Sequence, residues 1–182
     1  MSDEQSGTKY EIIRQKFCER EKATREFVRE NNRFAALVAN GLQNFLGMPK
    51  YYEAKRDGTT TYHRYVPLYR VRSDGTISDE DAFNDAVVSC SDGTFEFGLG
   101  IVLEPAPNAF PKQIVQAKVE CVRASGNVEV RISGETVICR FDGSASTDIH
   151  LVHELLYRLL NNYLDSRWGD PDARRAFGFQ LV

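Results

Sequence analysis

Apolar residues recur at Tyr10, Ile13, Phe17, Phe27, Val28, Phe34, Ala35, Leu37, Val38, Leu42, Phe45 and Leu46. This is the spacing of one face of a helix, and it predicts a helical segment over residues 9–46 behind a flexible stretch at 1–8. The pairs Glu21/Arg25 and Glu26/Arg29 sit one turn apart and support a solvated outer face. A helix of about 35 residues would be roughly 50 Å long, more than a sheet of ordinary size covers. The stripe is also thinnest at Arg20, Glu21 and Thr24. The expectation is a break near Asn31-Asn32, or an N-terminal half that packs on another subunit. Gly47 and Pro49 end the segment.

The period then changes to two. Residues 60–72 alternate, with Tyr62, Val66 and Leu68 on one face and Tyr65, Tyr69 and Val71 on the other. Pro67 marks an edge or a bulge, because proline donates no ladder hydrogen bond. Residues 78–84 read as a short capped helix or a loop. Asp92-Gly93 reads as a hairpin turn into 94–103, where Phe95, Phe97, Leu99, Ile101 and Leu103 share a face. After a Pro-rich connection, residues 113–123, 128–133 and 136–141 form a meander with turns at Ser125-Gly126-Asn127 and Ser133-Gly134. A final helix over 147–167 carries Val152, Leu155, Leu156, Leu159, Leu160 and Tyr163 on one face, with Ser146, Thr147 or Asp148 as its cap. Trp168, Phe177, Phe179 and Leu181 predict that the tail 168–182 docks.

Helix, strands, helix is an α+β order. The expected fold is an antiparallel sheet of about six strands, its long N- and C-terminal helices packed on one face. A chain of 182 residues with 42% hydrophobic content suits one domain, residues 1–182, with its sheet over 60–141.

Charge adds a polarity to this picture. Residues 50–72 carry Lys50, Lys55, Arg56, Arg64, Arg70 and Arg72 among five tyrosines, whereas 73–111 contain no Lys or Arg. Such a reversal concerns surfaces and partners. Tyrosine and arginine are favoured interface anchors, so Tyr51, Tyr52, Arg64, Tyr65, Tyr69 and Arg70 form a candidate partner-binding set. The plainer reading is a strand whose tyrosines cover the core margin. The opposed charges could pair across neighbouring strands or between two copies in a homodimer. A net charge of −3 argues against a dedicated nucleic-acid binder, although stacked bases or an anionic ligand would suit the local segment.

Gly98 and Gly100 share one face of a strand and permit close approach by a ligand, another strand or a large aromatic. His150, His153 and Glu154 are close enough on one helix to suggest a metal site, without matching the His-Glu-x-x-His pattern. Placed on a helical wheel, His150 faces solvent. No Gly-x-Ser-x-Gly elbow or dinucleotide fingerprint occurs. Cys18, Cys90, Cys121 and Cys139 have no CxxC spacing and read as buried thiols in a reducing cytoplasm. No signal-peptide pattern or membrane span is expected. The functional expectation is a non-catalytic adaptor, chaperone-like or regulatory module that binds a protein, forms a homodimer and needs no cofactor. The alternatives are an enzyme or small-molecule binder in the sheet concavity near Gly98, Gly100, Tyr65 and Arg64, and a metal-dependent hydrolase at His150, His153 and Glu154.

Overall fold

The computed structural model describes residues 8–141, 148–166 and 178–181. The first helix, α1 (Lys9–Phe45), is continuous for 37 residues, about 55 Å at 1.5 Å per residue. It does not break at Asn31-Asn32. A reciprocal cap starts it, with Thr8 Oγ1 accepting from Glu11 N and the Glu11 carboxylate accepting from Thr8 N. Asn31, Phe34, Ala35, Val38, Ala39 and Leu42 are its buried residues. The turns before Phe27 stand clear of the core, and Phe27 itself is half-buried with the Arg123 guanidinium of the sheet 5.7 Å from its ring.

The strands are β1 (Tyr51–Arg56), β2 (Thr59–Arg64), β3 (Leu68–Val71), β4 (Ile77–Asp81), β5 (Val88–Ser89), β6 (Thr94–Leu103), β7 (Gln113–Ala124), β8 (Asn127–Ile132), β9 (Glu135–Arg140) and β10 (Gly178–Leu181). The second helix, α2 (His150–Asp165), lies between β9 and β10. β1 and β2 form a separate hairpin. The main antiparallel sheet runs β4-β3-β6-β7-β8-β9, with β5 added to β6 and β10 to β7. β6 and β7 are the longest strands and pair along Thr94↔Val122 to Leu103↔Gln113. At the end of the tail Gly178–Leu181 pairs with β7; Trp168 and Phe177 lie outside the described residues.

Two-residue turns set the registers. Asp57-Gly58, Ser125-Gly126 and Ser133-Gly134 all adopt positive φ, 50° to 84°, the backbone that tight hairpins of this hand require. Two local expectations are corrected. Residues 60–72 are not one strand, because the chain bends at Tyr65, Val66 and Pro67 between β2 and β3. Of residues 78–84, expected as a short helix or a loop, 78–81 belong to the edge strand β4 and 82–84 form a turn; the exposed acids of β4 suit a strand with one unpaired side.

Both helices cover one sheet face. Phe34, Val38 and Leu42 of α1 and Val152, Leu156 and Leu159 of α2 meet Phe95, Phe97, Leu99, Val119, Val130 and Ile132 in one buried cluster. Phe34 packs edge-on against Phe95 and Phe141, with centroids 5.8 and 5.2 Å apart. Asp148 Oδ1 accepts from His150 N at 3.2 Å; Ser146 and Thr147 lie outside the described residues. Among the described residues no helix is long and apolar enough to cross a membrane. All four cysteines are free, but only Cys121 and Cys139 are buried. Cys18, on the clear part of α1, and Cys90, beside a turn, are exposed, which corrects the expectation for those two.

Candidate functional site

The β1–β2 hairpin stands over the end of the sheet where β6 gives way to β7. Antiparallel pairing of Leu103 with Gln113 brings the ends of their connection together. Glu104 and Lys112 therefore face each other, and the Lys112 ammonium binds the Glu104 carboxylate directly. Glu104 also accepts from the Tyr65 hydroxyl at 2.9 Å and from Asn108 N at 3.2 Å. Lys112 is 1% exposed. Its ammonium lies 4.8 Å from the Tyr52 ring centroid, 5.1 Å from Phe110 and 5.4 Å from Tyr65. Three aromatic faces and a carboxylate thus replace its water.

This network sets the ionisation around it. Burial would raise the Glu104 pKa, but hydrogen bonds from Lys112 and Tyr65 outweigh burial and hold it below the ordinary carboxylate value. Tyr65 is pushed up to about 12 by burial and by its bond to Glu104. Burial likewise raises Tyr52 and Tyr69. The phenols at the base of the hairpin are neutral structural groups across the physiological range.

Above this base opens a cleft of roughly 880 Å³ lined by Tyr51, Tyr52, Glu53, Ala54, Lys55, Tyr62, Asn108 and Phe110. Tyr51, Tyr62 and Phe110 are 44%, 66% and 55% exposed. Lys50 and Arg64 each lie 5.4 Å from the Tyr51 ring. Arg64 also stacks at 3.6 Å over Phe83. The cleft therefore offers flat aromatic surface with Glu53 and Lys55 in its lining and the cations Lys50 and Arg64 beside it.

The sequence-predicted partner set divides between two environments. Tyr51 and Arg64 belong to the cleft surround, and Tyr52 to its floor. Tyr65 and Tyr69 are buried with Tyr52, Val102 and Ile114 in a second cluster, so their rings are not on a surface. Arg70 pairs with Asp85 at 3.0 Å and Arg72 with Asp79 at 3.6 Å. These two contacts join the basic and acidic segments within one molecule. Phe110, Asn108, Glu104 and Lys112 were not singled out by sequence. Their signal was the Pro-rich connection between two long strands.

The space over Gly98 and Gly100 is filled from within. A methyl group on Gly100 would meet Tyr69 Cε2 at 2.6 Å and Pro67 Cγ at 2.9 Å, and one on Gly98 would meet Ile77 Cγ2 at 2.7 Å. Of the visitors that the paired glycines admit, the one present is an aromatic side chain of the protein itself, Tyr69.

The three helix residues do not converge as a metal site would require. His150 and Glu154 form an exposed 3.3 Å pair, whereas His153 turns inward and donates from Nε2 to Val38 O at 3.1 Å. No metal-binding group of His, Cys, Asp and Glu exists among the described residues. Burial drives His153 below the ordinary imidazole value, against the opposing hydrogen bond to Val38. The folded imidazole is therefore harder to protonate than the unfolded one. Its contribution to stability is full above about pH 6.5 and is lost as pH falls through the folded value. Thermal melts between pH 7.5 and 5 should thus be steeper in pH for the wild type than for His153→Gln, and parallel slopes would remove His153 from the acid response.

Comparison with protein families, curated proteins and solved structures finds no match to this chain.

Proposed function

We propose that this protein is a non-catalytic interaction module that holds a partner protein in the hairpin cleft. The observation that supports this most is the division of labour among the aromatics. Tyr52 and Tyr65 are locked by Lys112 and Glu104, while Tyr51, Tyr62 and Phe110 remain on the cleft surface. A rigid floor with exposed aromatic walls is the arrangement that anchors a partner at little conformational cost. Lys55 in the cleft and Lys50 and Arg64 beside it suit a partner segment with an apolar anchor flanked by carboxylates. Lys112 is enclosed and fully engaged, so its amine serves the floor rather than chemistry.

A photo-crosslinking amino acid at Tyr62 should yield a discrete adduct with a partner in extracts of the source cells. The same group at Ile138, 59% exposed on β9, should not. Tyr51→Ala combined with Tyr62→Ala should reduce adduct formation from a crosslinker at Lys55 by about tenfold or more, with Tm nearly unchanged. Equal labelling at Tyr62 and Ile138, or labelling indifferent to the double variant, would remove the cleft from consideration.

A further inference from the structure

We propose that the clear half of α1 is a self-association surface, on which two copies of this chain pair antiparallel over residues 9–30. No residue of α1 before Asn31 is buried. Tyr10, Ile13 and Phe17 are nevertheless apolar and 71%, 63% and 62% exposed. At 100° per residue they continue the stripe that Asn31, Ala35, Val38 and Leu42 bury on the sheet. One apolar face therefore runs past the edge of the core into solvent. A helix without tertiary contacts is marginal in water, because its stability comes mainly from packing an amphipathic face.

The sequence of the arm specifies what covers it. Tyr10, Phe17 and Thr24 fall at one core position of a heptad, and Ile13, Arg20 and Phe27 at the other. A parallel in-register pair would set Arg20 on Arg20 and Thr24 on Thr24. An antiparallel pair instead sets Ile13 against the second copy's Thr24 and Phe17 against its Arg20, and brings Tyr10 to the edge of its Phe27, which is half-buried beside Arg123. Every weak position then meets a strong one, and the guanidinium lies on an aromatic face. The same register places Arg14 beside the second copy's Glu21. Glu21 has only a 3.7 Å contact with Arg25 on its own helix. Each contact occurs twice about a two-fold axis between residues 18 and 19, so the surface is complementary to itself. Within residues 9–30 the core contacts run from Tyr10 to Phe27, about 18 residues, or roughly 27 Å.

Sedimentation of the full chain under reducing conditions tests this, because exposed Cys18 then cannot supply a crosslink. The wild type should be a dimer at about 50 µM. Ile13→Asp with Phe17→Asp should sediment as a monomer with the Tm of the body preserved. Arg14→Glu should weaken the dimer about tenfold, and adding Glu21→Arg should restore it. A monomeric wild type, or a dimer indifferent to the Ile13 and Phe17 changes, overturns the arm as the interface. Failure of Glu21→Arg to rescue overturns the antiparallel register.

Discussion

Glu104→Ala is expected to cost the fold about 3 kcal/mol, the low end of the range for removing one partner of a buried ion pair, because Lys112 is enclosed while the Glu104 side chain keeps 17% of its surface in water. The substitution leaves the Lys112 ammonium enclosed by Tyr52, Tyr65 and Phe110 with no carboxylate. It also strips the Tyr65 hydroxyl and Asn108 N of their acceptor. For a chain of this size the loss should lower Tm by roughly 10 °C. Tyr65→Phe removes only one hydrogen bond and should cost about 1 kcal/mol. Adding Lys112→Met to Glu104→Ala should recover part of the loss, since the stranded charge is then gone. The pH dependence follows from the depressed Glu104 pKa. The stabilisation is full above the unfolded carboxylate value and disappears as pH falls through the lower folded one. Denaturant melts from pH 7 to 3 should accordingly bring wild type and Glu104→Ala closer together in acid. A gap that stays constant would mean the carboxylate's charge is not what stabilises the site.

Gly100→Val should be comparably damaging, at about 3 kcal/mol, because overpacking already costs 1–3 kcal/mol for smaller insertions. The first added carbon would lie 2.6 Å from Tyr69 Cε2 and 3.2 Å from Ile114 Cγ2. The higher strand propensity of valine returns at most about 1 kcal/mol. Tyr69 has little freedom to move, since it is buried with Tyr52, Tyr65, Val102 and Ile114. The clash should therefore couple to position 69. In a Tyr69→Leu background the same glycine change should cost at least about 1 kcal/mol less. Additive effects would show that the ring is not the neighbour that matters.

The parts of this fold legible in the sequence are those with a repeated local signal. The stripe from Phe34 to Leu42, the alternation from Phe95 to Leu103 and the X-Gly turns all state their structure within a few residues. β1 is silent because a two-stranded ribbon buries little: Tyr52 is its one fully buried side chain among those described. β4 is disguised by Asp79, Glu80 and Asp81, acids that suit an edge but resemble a helix start or a loop. Glycines at 98 and 100 signal close approach without naming the visitor, which Tyr69 supplies from β3. The Lys112–Glu104 pair was reachable only through topology. A lone lysine before a strand reads as exposed until pairing of β6 with β7 places it opposite an acid.

The crossing of α1 and α2 joins residues far apart in the chain, with His153 bonded to the carbonyl of Val38 across 115 positions. Synthesis at about 5–20 residues per second separates those two residues by roughly 6–23 seconds. Throughout that interval Phe34, Val38 and Leu42 have emerged without the α2 side chains that later help to enclose them. The nascent chain thus passes through a stage in which the apolar face of α1 lacks its α2 cover in the crowded surroundings of the ribosome. Yield in cells should consequently depend on elongation rate and holdase supply more than the stability of the finished molecule would suggest.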